Sequence, residues 1–226
     1  MNPVAAPVPQ PPVVRRRRFS IWTLLLTLGT IGFVAAALLL RHPGDGSGFP
    51  YYGQWIGKDA PDFKLIDQDG QTLRLSALRG QVVLMTFGFT HCPNICPSTL
   101  ANLAAIHQAL PAWEQGRVRV LFISVDPSRD TPKALKDYVC FYAPSFIGLT
   151  GDPDDIAKVA KSYGAYYEAV MQESQVASNY YTVNHSTYIY LIDPAGRFAL
   201  LYNNEKLADH ARMIQDIEHV LAAPGQ

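Results

Sequence analysis

A pair of cysteines that follows an apolar run is the feature that most constrains the fold of this chain. Residues 88–100 read GFTHCPNICPSTL and contain Cys92 and Cys96, and the apolar run of residues 82–87 leads into them. This order predicts a buried strand, a short loop and a helix that begins near Asn94. Because side chains at positions i and i+4 lie on one side of a helical turn, both sulfur atoms can face one point in space.

Sulfur chemistry is expected at this loop. The free amide groups at the start of a helix favour a thiolate over a thiol. We therefore interpret Cys92 and Cys96 as a redox pair or as two ligands of a soft metal. The alternative is a buried structural disulfide, which would constrain little of the unfolded chain because the loop that it closes is so short.

Alternating strands and helices predict an α/β domain with a central mixed sheet. The predicted strands are residues 62–66, 72–75, 82–87, 118–124, 187–192 and 198–202, and the predicted helices are residues 97–110, 133–141, 153–163 and 207–222. Residues 166–183 show no helical period, which predicts an extended excursion or a hairpin. A cysteine pair between a buried strand and a helix is typical of a thioredoxin-like fold, although three residues separate these cysteines instead of the usual two.

The N-terminal region predicts a membrane-anchored protein. Its parts are a disordered basic N-terminus at residues 1–20, a transmembrane anchor at residues 21–40 and a linker at residues 41–54, followed by the domain at residues 55–226. The anchor is uncharged over its whole length, and Arg15 to Arg18 precede it, which predicts a cytoplasmic N-terminus and an exported domain. We expect a single-pass protein of the inner membrane whose C-terminal domain faces the periplasm.

Two other interpretations of the N-terminus stay open. Residues 35–37 are all alanine and resemble the cleavage site of a signal peptide. Residues 16–19 read RRRF and resemble a twin-arginine export signal. In each case the domain is exported.

Charge argues against one class of partner. The formal net charge is zero, but residues 1–41 contain five arginines and no acidic residue, which leaves 14 basic against 19 acidic residues in the remainder. Because nucleic-acid binding relies on clustered lysine and arginine, this mildly acidic domain is not expected to bind nucleic acid.

A third metal ligand must come from outside the cysteine loop, since two thiolates leave a soft metal under-coordinated. Among six histidines, His185 precedes the predicted strand 187–192, in a segment that a thioredoxin-like sheet places against the cysteine loop. A hydrogen-bonded loop histidine without a metal is an equally acceptable interpretation. Two sulfurs and one nitrogen suit Cu(I), whereas zinc would need a fourth ligand.

The remaining histidines have other expected roles. His91 adjoins Cys92 and is a candidate for tuning the thiols. Three more, His107, His210 and His219, lie on predicted helices, where a solvated face is expected, and His42 belongs to the predicted linker.

Four segments in order resemble the Sco/SenC family. They are GFTHCPNICPSTL, ISVDPSRDTP at residues 123–132, GLTGDPDDI at residues 148–156 and VNHSTYIYLIDPAGRF at residues 183–198. The family comprises membrane-anchored, thioredoxin-like copper proteins involved in assembling cytochrome c oxidase, and the resemblance covers about residues 55–222. It implies that Cys92, Cys96 and His185 bind copper, as Cu(I) and also as Cu(II).

The resemblance implies one of two functions. The first is a metallochaperone that helps assemble the dinuclear copper centre of cytochrome c oxidase subunit II. The second is a thiol-disulfide reductase in which Cys92 and Cys96 keep the cysteines of that subunit reduced. His185 favours the first, because dithiol exchange does not require it; a peroxiredoxin-like peroxidase is a third alternative. The implied partners are subunit II, other periplasmic copper chaperones and a thioredoxin-like reductant.

Several residues outside the ligand set carry alternatives of their own. Asn184 stands where the family often has aspartate, which predicts a weaker outer hydrogen bond to His185. Asp126 and Asp130 are expected to cap the helix at Lys133 and to satisfy loop amides, or else to position the cysteine loop or contact a partner. Cys140 is expected to be a buried free thiol, with pairing between molecules as the alternative. Five tyrosines are predicted to form a recognition patch or to pack the hairpin onto the domain: Tyr163, Tyr166, Tyr167, Tyr180 and Tyr181.

Overall fold

Strands and helices alternate through most of the domain. The computed structural model describes residues 51–171 and 181–222. The strands in these ranges are β1 (Gln54–Asp59), β2 (Lys64–Asp67), β3 (Thr72–Arg74), β4 (Val82–Gly88), β5 (Val118–Ser124), β6 (Ile147–Thr150), β7 (Tyr167–Met171), β8 (Tyr181–His185), β9 (Ile189–Ile192) and β10 (Arg197–Tyr202). The helices are α1 (Ile95–Ala109), α2 (Ala112–Gln115), α3 (Pro132–Tyr142), α4 (Pro153–Ser162) and α5 (His210–Ala222), with 3-10 turns at Leu75–Leu78 and Asn204–Ala208.

An eight-stranded mixed sheet forms the centre of the domain, in the order β1-β10-β9-β4-β5-β6-β2-β3. Strands β4, β5 and β6 run parallel to their neighbours within this group, whereas β9 lies antiparallel to β4 and β2 lies antiparallel to β6. The predicted α/β fold with a central mixed sheet is therefore confirmed. Every residue of β4 is buried, as an apolar strand in the middle of a covered sheet should be.

Two strands of this sheet were not predicted. Strand β1 has a largely exposed edge position, and its sequence QWIGKD contains no apolar run. Strand β6 is only four residues long and contains Gly148, a residue type that is depleted in strands. A Cβ atom at Gly148 would lie 3.0 Å from Cβ of Leu135 on α3, so the glycine lets the helix approach the sheet closely.

A separate hairpin stands outside the main sheet. Strands β7 and β8 form a two-stranded antiparallel sheet that pairs Tyr167 with His185 and Met171 with Tyr181. The hairpin expected in residues 166–183 is thus present, and it places His185 at the end of β8. Residues 172–180 lie outside the described ranges, and so does Tyr180.

The aromatic core corrects one of the tyrosine interpretations. Tyr163 is buried beside Phe87, Tyr190 and Phe198, and its hydroxyl donates to the Pro61 carbonyl at 2.8 Å. Tyr163 therefore belongs to the core and not to a recognition patch. Tyr167 and Tyr181 pack partly against the same core, while Tyr166 is exposed.

The predicted membrane anchor lies outside the described ranges, as do residues 1–20 and most of the predicted linker. Within residues 51–171 and 181–222, no helix combines the length and the apolar character needed to cross a bilayer. The anchor and the domain boundaries proposed from the sequence therefore stay predictions.

Candidate metal centre

The cysteine loop joins the buried strand β4 to helix α1. Cys92 lies three residues before the helix, and Cys96 lies in its first turn. The side chain of Asn94 makes no capping hydrogen bond, and the backbone amides of Asn94 and Cys96 point to the sulfur of Cys92 instead. The start of the helix thus directs its free donors at a cysteine, as the sequence predicts.

Gly88 allows Cys96 to lie against the end of the sheet. A Cβ atom at Gly88 would lie 2.6 Å from Sγ of Cys96 and 2.6 Å from a ring carbon of Phe122. Both contacts are shorter than real Cβ atoms tolerate. The absence of a side chain at Gly88 is therefore what allows the Cys96 sulfur to lie at this point.

The hairpin brings His185 to the same point. Its Nε2 lies 3.4 Å from Sγ of Cys96, and its Nδ1 lies 2.9 Å from the carbonyl oxygen of Ser186. Because a carbonyl oxygen only accepts, Nδ1 carries the proton and the lone pair of Nε2 faces the cysteine. The ligand atoms of Cys92, Cys96 and His185 all lie within 4.8 Å of one another.

The orienting hydrogen bond of His185 does not depend on the side chain of Asn184. Asn184 alternates with His185 along β8, so its side chain points to the opposite face of the hairpin and is exposed. The Ser186 backbone carbonyl accepts the hydrogen bond from His185 Nδ1 that orients the imidazole. This is the role that the family resemblance leads one to expect of an aspartate at position 184. The substitution therefore leaves the orientation of His185 intact.

The two thiols have opposite acidities in the metal-free site. The thiol of Cys96 donates a hydrogen bond to Cys92, and this bond, together with those from the backbone amides of Cys96 and Asn94, outweighs burial and lowers the pKa of Cys92. The same hydrogen bond, reinforced by burial, raises the pKa of Cys96. The pair is therefore a thiolate at Cys92 with a protonated neighbour at Cys96.

Asp130 links the cysteine loop to the end of β5 through hydrogen bonds. This fully buried carboxylate accepts from the Thr90 amide at 3.0 Å, from the Thr90 hydroxyl at 2.6 Å and from the Ser124 hydroxyl at 2.6 Å. The cap of α3 is the Thr131 hydroxyl, which accepts from the Ala134 amide at 3.3 Å. Of the two interpretations of Asp130, the structure shows the one in which it positions the cysteine loop.

Asp126 connects the segment between β5 and α3 to the hairpin. It accepts hydrogen bonds from the hydroxyls of Tyr181, at 2.6 Å, and Ser128, at 2.8 Å, and it forms an ion pair with Arg129. Burial alone would raise the pKa of Asp126, but these three partners outweigh it and lower the pKa. The sequence singles out Asp126 and Asp130 as candidates, but it carries no signal for their partners Thr90, Ser124 and Tyr181.

The other candidate residues lie outside the three-ligand cluster. His91 is exposed and hydrogen-bonds Thr90 through Nδ1 at 3.0 Å. His107 was expected on a solvated face, but it is buried, because its ring packs on Phe146 and its Nε2 lies 3.2 Å from the Gln115 carbonyl. Cys140 is free and only partly buried. Within the described part of the chain, no second group of three histidine, cysteine or acidic ligands converges.

The donor set decides which ion would fit. Two sulfurs and one imidazole nitrogen make a soft site of low coordination, which suits Cu(I). Zinc would need a fourth ligand, and hard cations prefer oxygen. Both cysteines are free, so the site can take a soft ion without first breaking a bond.

Together, the mixed sheet, the cysteine loop at the end of a central strand and the facing histidine define a thioredoxin-like domain with a soft metal-binding cluster. Comparison with known proteins gives its family. The model of the SCO1/SenC family matches residues 57–222, and the chain belongs to that family.

Relatives in two groups of organisms share much of the sequence. The mitochondrial SCO2 homolog of Bos taurus is 43% identical over 150 residues, which cover 66% of this chain but only 55% of that protein. The SCO2-like protein RP587 of Rickettsia prowazekii is 36% identical over 180 residues, which cover 79% of this chain and 84% of the relative. The similarity thus spans little more than half of the bovine protein.

Solved structures share the fold. Yeast Sco1 with copper bound is 32% identical and superimposes with a TM-score of 0.64, over 74% of this chain and 90% of that one. BsSco, a member of the Sco family of cytochrome c oxidase assembly proteins in which a disulfide switch was identified, is 28% identical with a TM-score of 0.60, over 75% and 97%. This likeness confirms the thioredoxin-like architecture of the domain.

Proposed function

We propose that this protein binds one Cu(I) ion through Cys92, Cys96 and His185 and acts as a metallochaperone in the assembly of cytochrome c oxidase. The observation that carries the proposal is the position of His185, whose Nε2 lone pair lies 3.4 Å from the Cys96 sulfur. Dithiol exchange does not require a nitrogen donor at this place, whereas a soft metal gains its third ligand there. Copper in yeast Sco1 and oxidase assembly by the family of BsSco support the assignment.

The cargo would be delivered to the dinuclear copper centre of oxidase subunit II. In this chain the ligand atoms for the ion come from two separate elements, the cysteine loop and the hairpin. An acceptor that competes for the ion can therefore replace the ligands one at a time, beginning with the partly exposed His185 and leaving the two sulfurs for later steps. The anchor predicted at residues 21–40 would keep the domain at the outer face of the inner membrane, beside its membrane-bound target.

A thiol-disulfide reductase is the second candidate, and the paired sulfurs favour it. In that reaction the Cys92 thiolate attacks a disulfide of subunit II, forms a mixed disulfide and releases one subunit thiolate. Cys96, on losing its proton, then attacks the Cys92 sulfur and releases the second thiolate. Subunit II gains two electrons, the pair becomes a disulfide, and a thioredoxin-like dithiol must reduce it again. The disulfide switch of BsSco is consistent with such a cycle.

Two single substitutions in the full chain separate these functions. His185→Ala removes the nitrogen ligand and leaves both sulfurs for exchange, whereas Cys92→Ser disables both activities. We expect oxidase assembly, measured as oxidase activity in membranes, to fail with either variant and to recover partly with His185→Ala when copper is added to the medium. Normal assembly with His185→Ala, together with failure of Cys92→Ser, would favour the reductase instead.

A further inference from the structure

The hairpin that carries His185 has its own small sheet and makes no strand pairing with the main one in the described residues. The three-ligand cluster therefore depends on whatever holds the hairpin against the cysteine loop. Both cysteines are placed by β4 and α1, which belong to the body of the domain. The position of His185, in contrast, depends on the contacts of the hairpin.

One face of β8 points toward the body of the domain. Side chains alternate along a strand, so Tyr181, Val183 and His185 share a face. Val183 is buried at the middle of this face, and His185 lies at its end beside Cys96. Tyr181 lies at the other end of the strand. Contacts that hold Tyr181 in place therefore also set the direction in which β8 runs toward His185.

Arg129 contacts both the ring and the backbone of Tyr181 at that end. Its guanidinium lies 3.7 Å from the ring centroid of Tyr181, and its Nη1 donates to the Tyr181 carbonyl at 2.9 Å. Its Nε donates to Asp126, which also accepts from the Tyr181 hydroxyl at 2.6 Å. The guanidinium also lies 5.8 Å from the ring centroid of Phe89 in the cysteine loop.

We propose that Arg129 is a positioning residue for the copper site, because it bridges Tyr181 of the hairpin to the body of the domain and so keeps His185 within reach of Cys96. The inference rests on the proposed function. A planar guanidinium that stacks on a ring and hydrogen-bonds on two edges fixes its neighbours in direction as well as distance, which a lysine does not. Phe89 contacts both Arg129 and the metal ligand, because its ring also packs edge-on against the His185 ring, with the ring centroids 5.7 Å apart.

A double-mutant cycle with His185 tests this role. Cu(I) affinity is measured by bicinchoninate competition on the full chain in detergent, for the wild type, Arg129→Met, His185→Ala and the double variant. Losing a partner that orients a metal ligand typically weakens affinity about tenfold or more, and we expect that loss for Arg129→Met in the wild-type background. In the His185→Ala background the same change should have almost no effect, because the ligand that Arg129 positions is already absent.

The matched control is Arg212→Met. Arg212 also stacks on a tyrosine, at 4.3 Å from the ring of Tyr52, which belongs to neither the hairpin nor the cysteine loop. The Arg212→Met substitution should leave the Cu(I) affinity unchanged. Equal losses from Arg129→Met with and without His185 would overturn the positioning role. Failure of the wild type to bind Cu(I) would instead reject the proposed function itself.

A metal-free readout separates positioning from general stability. In the reduced apoprotein, the nuclear Overhauser contact between the rings of Phe89 and His185 should weaken in Arg129→Met while core contacts such as that of Phe87 with Tyr190 persist. An unchanged contact between Phe89 and His185 would contradict the proposal. If Arg129→Met does not fold, Tyr181→Phe, which removes only the hydroxyl bonds to Asp126 and Ser128, takes its place in the same cycle with the same criteria.

Discussion

At the residue scale, the site depends on one position without a side chain. Gly88 ends β4 directly beside the Cys96 sulfur and the Phe122 ring. Neither neighbour can move freely, since Phe122 is buried in β5 and Cys96 is fixed by the first turn of α1. The geometry of the sulfur pair is therefore sensitive to a single added methyl group.

Replacing Gly88 with alanine should damage the site more than its small size suggests. We expect a loss of about 1–3 kcal/mol in the free energy of unfolding, the usual cost of overpacking a core, together with weaker Cu(I) binding. Gly116→Ala is the matched control, because nothing lies within 4 Å of its Cβ position and its φ of −65° suits any residue. Urea unfolding and Cu(I) competition measure both effects. Wild-type affinity in Gly88→Ala would show that Cys96 is not fixed in this way.

The unequal thiols give a pH prediction for the reduced, metal-free protein. The lowered pKa of Cys92 keeps it a thiolate as the pH falls from 8 to about 5, below the usual thiol range, whereas the raised pKa of Cys96 keeps it protonated. Iodoacetamide should therefore label Cys92 first, at a rate that changes little over this range. Mass spectrometry of the labelled peptides measures the labelling rate of each cysteine. A rate for Cys92 that falls tenfold per pH unit below 8 would contradict the assignment.

At the element scale, the sequence predicted the cysteine loop well and the support around it poorly. The apolar run of β4 and the spacing of Cys92 and Cys96 are local signals, so strand, loop and helix could all be predicted from neighbouring residues. Proximity of His185 to the pair required a fold analogy. The bonds from Asp130 to Thr90 span 40 residues, and no periodicity reports such a contact.

The attachment of the hairpin is a second feature that local sequence patterns do not predict. Its extended character could be predicted because residues 166–183 lack a helical period, but its attachment through Arg129 and Tyr181 joins residues 52 positions apart. Asn184 is the clearest case. The resemblance to the family predicts that asparagine at this position weakens a hydrogen bond that orients His185, yet the alternation of β8 turns the Asn184 side chain away and the Ser186 carbonyl makes that bond instead.

Asp130 is expected to stabilise the loop through its three hydrogen bonds. Asp130→Asn keeps the size of the side chain but exchanges one acceptor for a donor, so one hydroxyl of Thr90 or Ser124 must reverse its bond and the remaining bonds lose their charged acceptor. We expect a loss of about 1–3 kcal/mol in the free energy of unfolding and faster hydrogen exchange at the Thr90 amide.

The control for Asp130 is the same substitution at an exposed helix. Asp137→Asn on α3 removes a surface ion pair with Lys133 and should leave the free energy of unfolding almost unchanged. Urea unfolding of both variants makes the comparison. Equal effects would show that the buried bonds of Asp130 contribute nothing beyond a surface charge.

At the scale of the whole molecule, the start of the domain is joined to its last helix. The buried carboxylate of Asp216 on α5 accepts from the amides of Tyr52 and Gly53, at 2.9 and 2.8 Å, and from the Tyr202 hydroxyl at 2.9 Å. Residues 51–54, which the sequence assigned to the linker, are therefore tied to the domain. The chain that leads toward the predicted anchor enters the domain at this contact.

Membrane topology can be tested on the full chain. A reporter that is active only outside the cytoplasm, fused after Gln226, should be active, and the protein should stay in the membrane fraction at its full mass. The physical reason is the uncharged stretch of residues 21–40 preceded by four arginines. Recovery of a shorter protein that begins near residues 36–42 would show that the segment is a cleaved signal peptide.

In the proposed site, two sulfurs and one nitrogen of this chain hold a single Cu(I) ion. X-ray absorption at the copper edge, on reduced full chain loaded anaerobically with copper, tests it most directly. We expect one copper per chain with two sulfur ligands and one nitrogen ligand, and the loss of the nitrogen alone in His185→Ala. A wild-type site with only two sulfur ligands, identical to that of His185→Ala, would contradict it.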